Sequence, residues 1–231
     1  MDVSIDRLIY KISSNYNSFI SILNDLLEMK REKKRKDYYY NRAKSQGYRS
    51  RASYKLLQIQ KRYRIIRKGD IVVDLGAAPG GWLQVILDLN ATAIAVDRQQ
   101  MDPLKGVSFI RSDINSPETI AKIQSIAQRV DVVISDAAPN LSGIWSLDHA
   151  RSIDLARSAL NIATQILKPG GNFLVKVFQG DLFDSYLCEM RSLFNFTRSF
   201  NPHASRKESA EIYVIGKRYR DSQRSISVAS I

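Results

Sequence analysis

Residues 73–82 read VDLGAAPGGW. The β-branched run Ile71-Val72-Val73 leads into this stretch, and the apolar, helix-compatible segment LQVILDL (83–89) follows it. A buried strand that ends on an acid, turns through small residues and a proline, and opens a helix with a tryptophan is the strand–turn–helix start of an open α/β sheet. Ligands of such sheets sit at the carboxyl ends of the strands, so this turn is the first place to look for a bound molecule. Gly76 tightens the backbone and leaves room for a ligand, and Gly80 and Gly81 do the same at the helix entry. GAAPGG lacks the G-x-G-x-x-G spacing, and Pro79 removes one of the N–H donors that a pyrophosphate cradle needs. Nicotinamide and flavin dinucleotides are therefore disfavoured, and no G-x-x-x-x-G-K-[ST] is present for a nucleoside triphosphate.

The alternation continues down the chain. ATAIAVD (91–97) and VSFIRSD (107–113) read as strands, PETIAKIQSIAQ (117–128) as a helix, and DVVISD (131–136) as a further strand. A helix over about 148–167 stops at Lys168-Pro169-Gly170-Gly171, residue types that end helices. NFLVKVF (172–178), a helix over about 182–194, FTRSF (196–200) and EIYVIG (211–216) complete the series. The pattern predicts a Rossmann-like, doubly wound, mostly parallel α/β sheet of seven strands, the last two adding an antiparallel hairpin. Upstream, a short helix is expected over 51–62. Apolar positions at helical spacing between Ile5 and Leu27 predict an N-terminal helical extension over 1–30. The expected organisation is that extension, a basic arm over 31–50, one domain over 51–217, and a disordered tail over 218–231.

Asp74, Asp97, Asp113 and Asp136 fall at the ends of successive strands, a joint placement that turn chemistry alone explains poorly. Asp97 lies 21 residues beyond Gly76, the separation at which a carboxylate accepts hydrogen bonds from ribose hydroxyls. Asp113 is placed to face an adenine amino group. A ligand with a ribose, an adenine and a positive charge but no phosphate fits, and S-adenosylmethionine is such a ligand.

Charge is unevenly distributed. The chain holds 35 Lys and Arg against 23 Asp and Glu. From Lys30 to Lys55 there are eleven basic and two acidic residues, interleaved with Tyr38, Tyr39, Tyr40, Tyr48 and Tyr54. Cations beside aromatic rings suit a phosphate backbone and stackable bases, whereas a lone charge run is more often a solvated face. Its position at the entrance to a folded domain favours nucleic acid. No apolar run approaches the roughly 20 residues of a membrane helix, and the N-terminus lacks the features of a signal peptide, so a cytoplasmic protein without a membrane partner is expected. The single Cys188 allows no internal disulfide and reads as a small buried hydrophobe. His149 and His203 have no ligand-spaced neighbours, so no metal is expected.

Lys176 interrupts the apolar strand FLVKVF, and a buried ammonium needs a carboxylate partner. Asp136 is a candidate, Glu211 opens the last strand, and Lys55 lies on the helix leading into the domain. Two amines and two carboxylates converging at the top of the sheet would suit orienting or deprotonating a hydroxyl.

These residues carry a resemblance. RSRASYKL (49–56), VDLGAAPGGW (73–82), VDRQQMDPLKGVSFIRSD (96–113), SDAAPNLSG (135–143), PGGNFLVKVFQG (169–180) and AEIYVIG (210–216) are similar, in order and spacing, to the FtsJ family of ribosomal RNA ribose 2′-O-methyltransferases. The resemblance covers about 35–217, and residues 1–30 exceed the family pattern. It implies a catalytic tetrad of Lys55, Asp136, Lys176 and Glu211, with S-adenosylmethionine held at Gly76, Gly80, Trp82, Asp97, Asp113 and Asp136. The implied reaction is methylation of a uridine ribose in 23S-type RNA of the large ribosomal subunit; separately, a monomer is expected, a state that none of these residues specifies. Lys176 either takes the hydroxyl proton or stays charged and stabilises the developing alkoxide. Lys33, Lys34, Arg35, Lys36, Arg49 and Arg51 are expected to hold RNA phosphates, with Tyr54 near the target nucleotide. Methylation of transfer RNA or a messenger RNA cap by the same chemistry, and a non-catalytic ribosome-assembly factor, are the rival readings. An intact tetrad argues against the second.

Overall fold

A computed structural model of the chain describes residues 38–205 and 210–221. The N-terminal extension, Lys33, Lys34, Arg35 and Lys36, and most of the expected tail lie outside the described residues. Helix α1 (Ser53–Tyr63) precedes strand β1 (Ile71–Leu75), helix α2 (Gly81–Asp88), strands β2 (Thr92–Asp97) and β3 (Val107–Arg111), helix α3 (Glu118–Ile126) and strand β4 (Val130–Ser135). Helix α4 (Trp145–Ile166), strand β5 (Leu167–Phe178), helix α5 (Phe183–Leu193) and strands β6 (Phe194–Phe200) and β7 (Glu211–Tyr219) follow.

Seven strands form one sheet in the order β3-β2-β1-β4-β5-β7-β6. The first five run parallel, with Val73 beside Ile94 and Val133, and Ile134 beside Leu174. β7 is antiparallel to both β5 and β6 and lies between them. The expected hairpin is therefore present, but its second strand inserts next to β5. Alternating side chains split the core by face. Val73, Leu75 and Val175 pack with Ile153, Leu160 and Met190 of α4 and α5, while Val72, Ile134 and Leu174 pack with Leu56, Ile59, Leu83 and Ile86 of α1 and α2. Helices thus cover both faces, which is what lets the central strands be apolar throughout.

Several boundaries differ from the sequence reading. β5 starts at Leu167, and Lys168-Pro169-Gly170-Gly171 forms the strand's irregular beginning, with a register shift against β4 between Val130 and Val132. β7 extends to Tyr219, two residues past the expected domain end, because the Tyr219 ring is buried and its hydroxyl donates to the Thr164 carbonyl at 3.2 Å. Cys188 is exposed, not buried: Tyr186, Leu187 and Met190 take the inward face of α5. No helix among the described residues is long and apolar enough to cross a membrane.

Candidate active site

The turns after β1, β2, β4 and β5 converge at one end of the sheet. Gly76 has φ +79°, and a Cβ there would sit 2.8 Å from the Ala137 Cβ. Only glycine lets the turn after β1 pass so close to the turn after β4. Gly80, at φ +101°, begins α2. A cleft of about 600 Å³ opens beside these turns, lined by Gly76, Ala78, Asp97, Asp113, Asp136 and Pro139 among others.

Asp97 is aimed by two backbone donors, Ala78 N–H at 2.9 Å and Gln99 N–H at 2.7 Å. Asp113 accepts from Asn115 N–H at 2.8 Å. An ionised carboxylate offers about four lone-pair positions, so both keep acceptor capacity toward the cleft. Asp113 also lies 3.5 Å from the exposed Arg98 guanidinium and Asp136 pairs with Lys176, yet three carboxylates on one cleft still fit a ligand that donates hydrogen bonds and carries positive charge, as S-adenosylmethionine does. Beside them, Asp74 on β1 is buried with neither oxygen hydrogen-bonded. Burial, reinforced by the charges of Asp136 and Asp97, pushes its carboxyl well above the usual range. Gly80 and Trp82 do not line the cleft. Trp82 is buried beneath it, its Nε1–H donating to the Ala52 carbonyl at 2.9 Å and its ring 5.9 Å from Tyr213.

The four expected tetrad residues meet next to the cleft, Asp136 belonging to both. Lys176 Nζ lies 3.1 Å from Asp136 Oδ1 and 3.8 Å from Glu211 Oε1, and donates to the Asp136 carbonyl at 2.7 Å. Lys55 Nζ bonds Glu211 Oε2 at 2.9 Å. Strand pairing brings the second lysine and glutamate together: Lys176 lies opposite Tyr213, and Phe178 opposite Glu211. α1 contributes Lys55 because Leu56 and Ile59 anchor that helix on the sheet. Burial would raise the carboxyls of Asp136 and Glu211. The lysines outweigh it, Lys176 then Lys55 for Asp136 and Lys55 then Lys176 for Glu211, and hold both below their ordinary values.

A fifth group belongs to this cluster. Tyr213 is buried, donates its hydroxyl to Asp136 Oδ1 at 2.7 Å, and lies under the Lys55 ammonium, 5.6 Å from ring centroid to Nζ. Burial, then the charge of Asp136, drives its phenol well above the usual range, so it stays a donor. The signal was its spacing: two residues past Glu211 on a strand is the same face. The sequence reading also passed over a hydrophobic shelf beside the tetrad. Leu141, Ile144 and Trp145 are exposed, at 70%, 61% and 51%. Asp148 fastens that loop by accepting from Ser142 N–H and Oγ–H, each at 2.7 Å, and from Gly143 N–H at 3.1 Å. Trp145 stacks on Phe178, 6.0 Å between centroids, one strand pairing from Glu211.

The residues expected to face RNA are placed less simply. Arg49 is turned inward: its guanidinium donates to the carbonyls of Pro79 (3.2 Å), Asp102 (2.6 Å) and Pro103 (2.9 Å), clamping the loops around the cleft. Arg51 is half-buried ahead of α1. Tyr54 is buried, its hydroxyl donating to Gln46 Oε1 at 2.6 Å and its ring packing on Tyr39 and Tyr48. It fastens the helical segment 38–45 onto α1, so this part of the arm is docked. Among the described residues no cluster of metal-ligating side chains is found.

A seven-stranded sheet with this order, an acid-lined cleft at its carboxyl end and a lysine–carboxylate cluster beside it define a Rossmann-type group-transfer enzyme. Known proteins specify which. The profile of FtsJ-like methyltransferases matches residues 48–219, and the chain belongs to that family. It is similar to the ribosomal RNA large subunit methyltransferase E of Methanocella arvoryzae, 60% identical over 80% of this chain and 73% of the relative. The protein of that name from Archaeoglobus fulgidus is 56% identical over 81% of this chain and 98% of its own length. About a fifth of the chain is thus outside that relative. A crystal structure from Plasmodium falciparum, described as a ribosomal RNA methyltransferase, superposes with a TM-score of 0.69 at 30% identity, covering 74% of this chain and 98% of that one.

Proposed function

We propose that the protein transfers a methyl group from S-adenosylmethionine to a ribose 2′-hydroxyl of a uridine in large-subunit ribosomal RNA. The observation that carries the reading is the position of Lys176 Nζ, between Asp136 and Glu211 and sharing Asp136 with the cleft. When bound, S-adenosylmethionine supplies an electrophilic methyl group on a sulfonium, which an oxygen nucleophile takes with release of the thioether. Asp97 and Asp113 would hold its hydroxyls and amino group. Asp136, kept ionised by Lys176, Lys55 and the Tyr213 hydroxyl, provides negative charge where a cation must lie. Lys176 acts in one of two ways: having first given up its own proton, the free amine takes the proton of the 2′-hydroxyl and the carboxylates of Asp136 and Glu211 stabilise the ammonium so formed, or it stays charged and stabilises the developing alkoxide while the proton leaves to solvent. Glu211 is itself fixed by Lys55, so the acceptor cannot swing away. The large-subunit substrate follows from the names of the relatives, and the uridine 2′-oxygen from the resemblance of the tetrad motifs.

The test is transfer of labelled methyl from S-adenosylmethionine to large ribosomal subunits and to transfer RNA of Methanocella arvoryzae, followed by nucleoside analysis. Label in a 2′-O-methyluridine of the subunit, abolished by Lys176→Ala, is expected. Label on transfer RNA alone would keep the chemistry and overturn the substrate. Arginine cannot act as a base, so a Lys176→Arg variant that retained most activity would eliminate Lys176 as the proton acceptor.

A further inference from the structure

The opposite end of the sheet carries a second groove, of about 880 Å³, formed where β1, β4 and β5 begin and β7 ends. Six cationic side chains line it: Arg62, Arg67, Lys168, Arg198, Lys217 and Arg218, against two carboxylates, Asp70 and Asp131. Among the described residues the one ion pair within the groove is Lys168–Asp131, at 2.8 Å. None of the other five cations has a carboxylate at ion-pair distance among the described residues. Lys217 reports this crowding: burial, then the like charges of Arg67 and Arg218, lower its pKa. The source is legible as a sequence, KRYRIIRK (61–68), in which α1 ends and five of eight residues are basic. Lys61 and Arg64 continue the same surface around the end of the helix, where an adjoining depression is lined by both.

Aromatic rings are interleaved with these cations. The Arg62 guanidinium lies over Tyr63 and Phe200, at 5.8 and 5.4 Å, and that of Arg198 over Phe196, at 5.3 Å. Planar guanidinium faces backed by aromatic rings give a surface on which bases stack while neighbouring cations hold phosphates. An acidic protein surface would need the cations but not the rings. The groove is far from the tetrad: Asn172, which lines it, is four residues before Lys176 on β5, roughly 13 Å at about 3.3 Å per residue. The nucleotide held at the tetrad therefore does not itself fill it.

We propose that this groove is a second RNA site, which takes the phosphate backbone of the folded substrate at a point remote from the methylated nucleotide. The inference rests on the RNA-methylating role argued above. The protein thereby recognises a folded RNA by two contacts at opposite ends of one sheet.

The test uses the full chain and an Arg62→Gln/Arg198→Gln/Arg218→Gln variant, all three positions exposed and outside the tetrad and the cleft. Binding to deproteinised Methanocella arvoryzae large-subunit RNA is measured against salt, alongside binding and methyl transfer to intact subunits, melting temperature and S-adenosylhomocysteine affinity. The salt slope should become shallower by about 2–3, and the affinity advantage of the parent should fall roughly 20- to 40-fold between 50 and 200 mM salt. KM for subunits should rise, with kcat, melting temperature and cofactor affinity unchanged, and the matching Arg→Lys variant should restore the slope. An unchanged slope in a folded variant overturns the proposal. Weakened binding to intact subunits alone, with bare RNA unaffected, overturns it in favour of an acidic protein partner. If the parent transfers no methyl group but the variant still loses RNA affinity, the methylation reading fails and the groove stands.

Discussion

Lys176→Met removes the ammonium while keeping most of the length of the side chain, and its cost follows from the geometry. The side chain is 6% exposed, and its ammonium is 3.1 Å from Asp136 Oδ1 and 3.8 Å from Glu211 Oε1. Deleting one partner of a buried pair costs about 3–5 kcal/mol. Asp136 keeps the Tyr213 hydroxyl and the field of Lys55, so the lower end, about 3 kcal/mol, is expected. For a domain of this size that is a fall in melting temperature of about 6–12 °C at pH 7. Asp136→Asn strands the cation instead and should cost a similar amount. The double variant removes both charges and should be more stable than the sum of the two losses by about 1–3 kcal/mol. The pH dependence has a definite sign. Asp136 and Glu211 have depressed folded-state pKa values, so their stabilisation is complete above the ordinary carboxylate range and is lost as pH falls through the depressed values. The gap between parent and Lys176→Met should be constant from pH 5 to 7 and close below about pH 4. Urea melts of the four proteins at pH 7 and pH 3 measure both effects. Strictly additive losses, or a gap that persists unchanged at pH 3, would refute the claim that these charges hold one another.

Three further outcomes are expected. Gly76→Ala combines a left-handed backbone cost of about 1–2 kcal/mol with a clash against Ala137 worth about 1–3 kcal/mol; calorimetry should show weakened S-adenosylhomocysteine binding and a lower melting temperature together. Asp74 has a raised folded-state pKa, so the stability linked to it is full below the unfolded value and falls as pH rises. Asp74→Asn, neutral at all pH, should match the parent at pH 4 and melt above it at pH 8, and parallel melting profiles would show that Asp74 is paired in solution. Trp145→Ala should raise KM for RNA about 5- to 150-fold, the equivalent of the 1–3 kcal/mol of one base–aromatic stack, without altering cofactor affinity, and Trp145→Phe should recover most of it.

How much of this was legible in the sequence depends on the range of the interaction concerned. The strand–turn–helix alternation is local, and every predicted strand of the domain is present to within a few residues, with β5 the exception because its Pro169 and Gly170 look like a stop signal while the strand already pairs at Leu167. That Lys176 needs a carboxylate partner was legible because a charged residue inside an apolar strand demands one, while the full set of Lys55, Asp136, Lys176 and Glu211 came from the resemblance of the motifs. Tyr213 was not legible, since a tyrosine in an apolar strand reads as core, and only its hydroxyl bond to Asp136 makes it more. Arg49 lies in a run of cations, and nothing in that run tells a phosphate ligand from a clamp on three carbonyls. The far groove gathers segments as distant as Arg62 and Arg218, so its charge density appears only once the sheet has closed.

The insertion of β7 between β5 and β6 is what makes the site. Neighbouring strands are about 4.8 Å apart. If β6 and β7 exchanged places, Glu211 would sit a full strand further from Lys176, beyond the 3.8 Å now observed, and Tyr213 would lose Asp136. Register matters equally, because a slip of one residue would turn Glu211 and Tyr213 to the opposite face. Gly216 guards the register. It pairs with Phe173 on β5 and Thr197 on β6, and a Cβ there would lie 2.6 Å from the Phe194 ring. Phe194 in turn stacks on Phe173, with centroids 6.0 Å apart. The one residue of β7 small enough to let that aromatic pair close over it must therefore be Gly216, which sets Tyr213 opposite Lys176 and Glu211 opposite Phe178. Core packing at the middle of the sheet thus places the charges at its end.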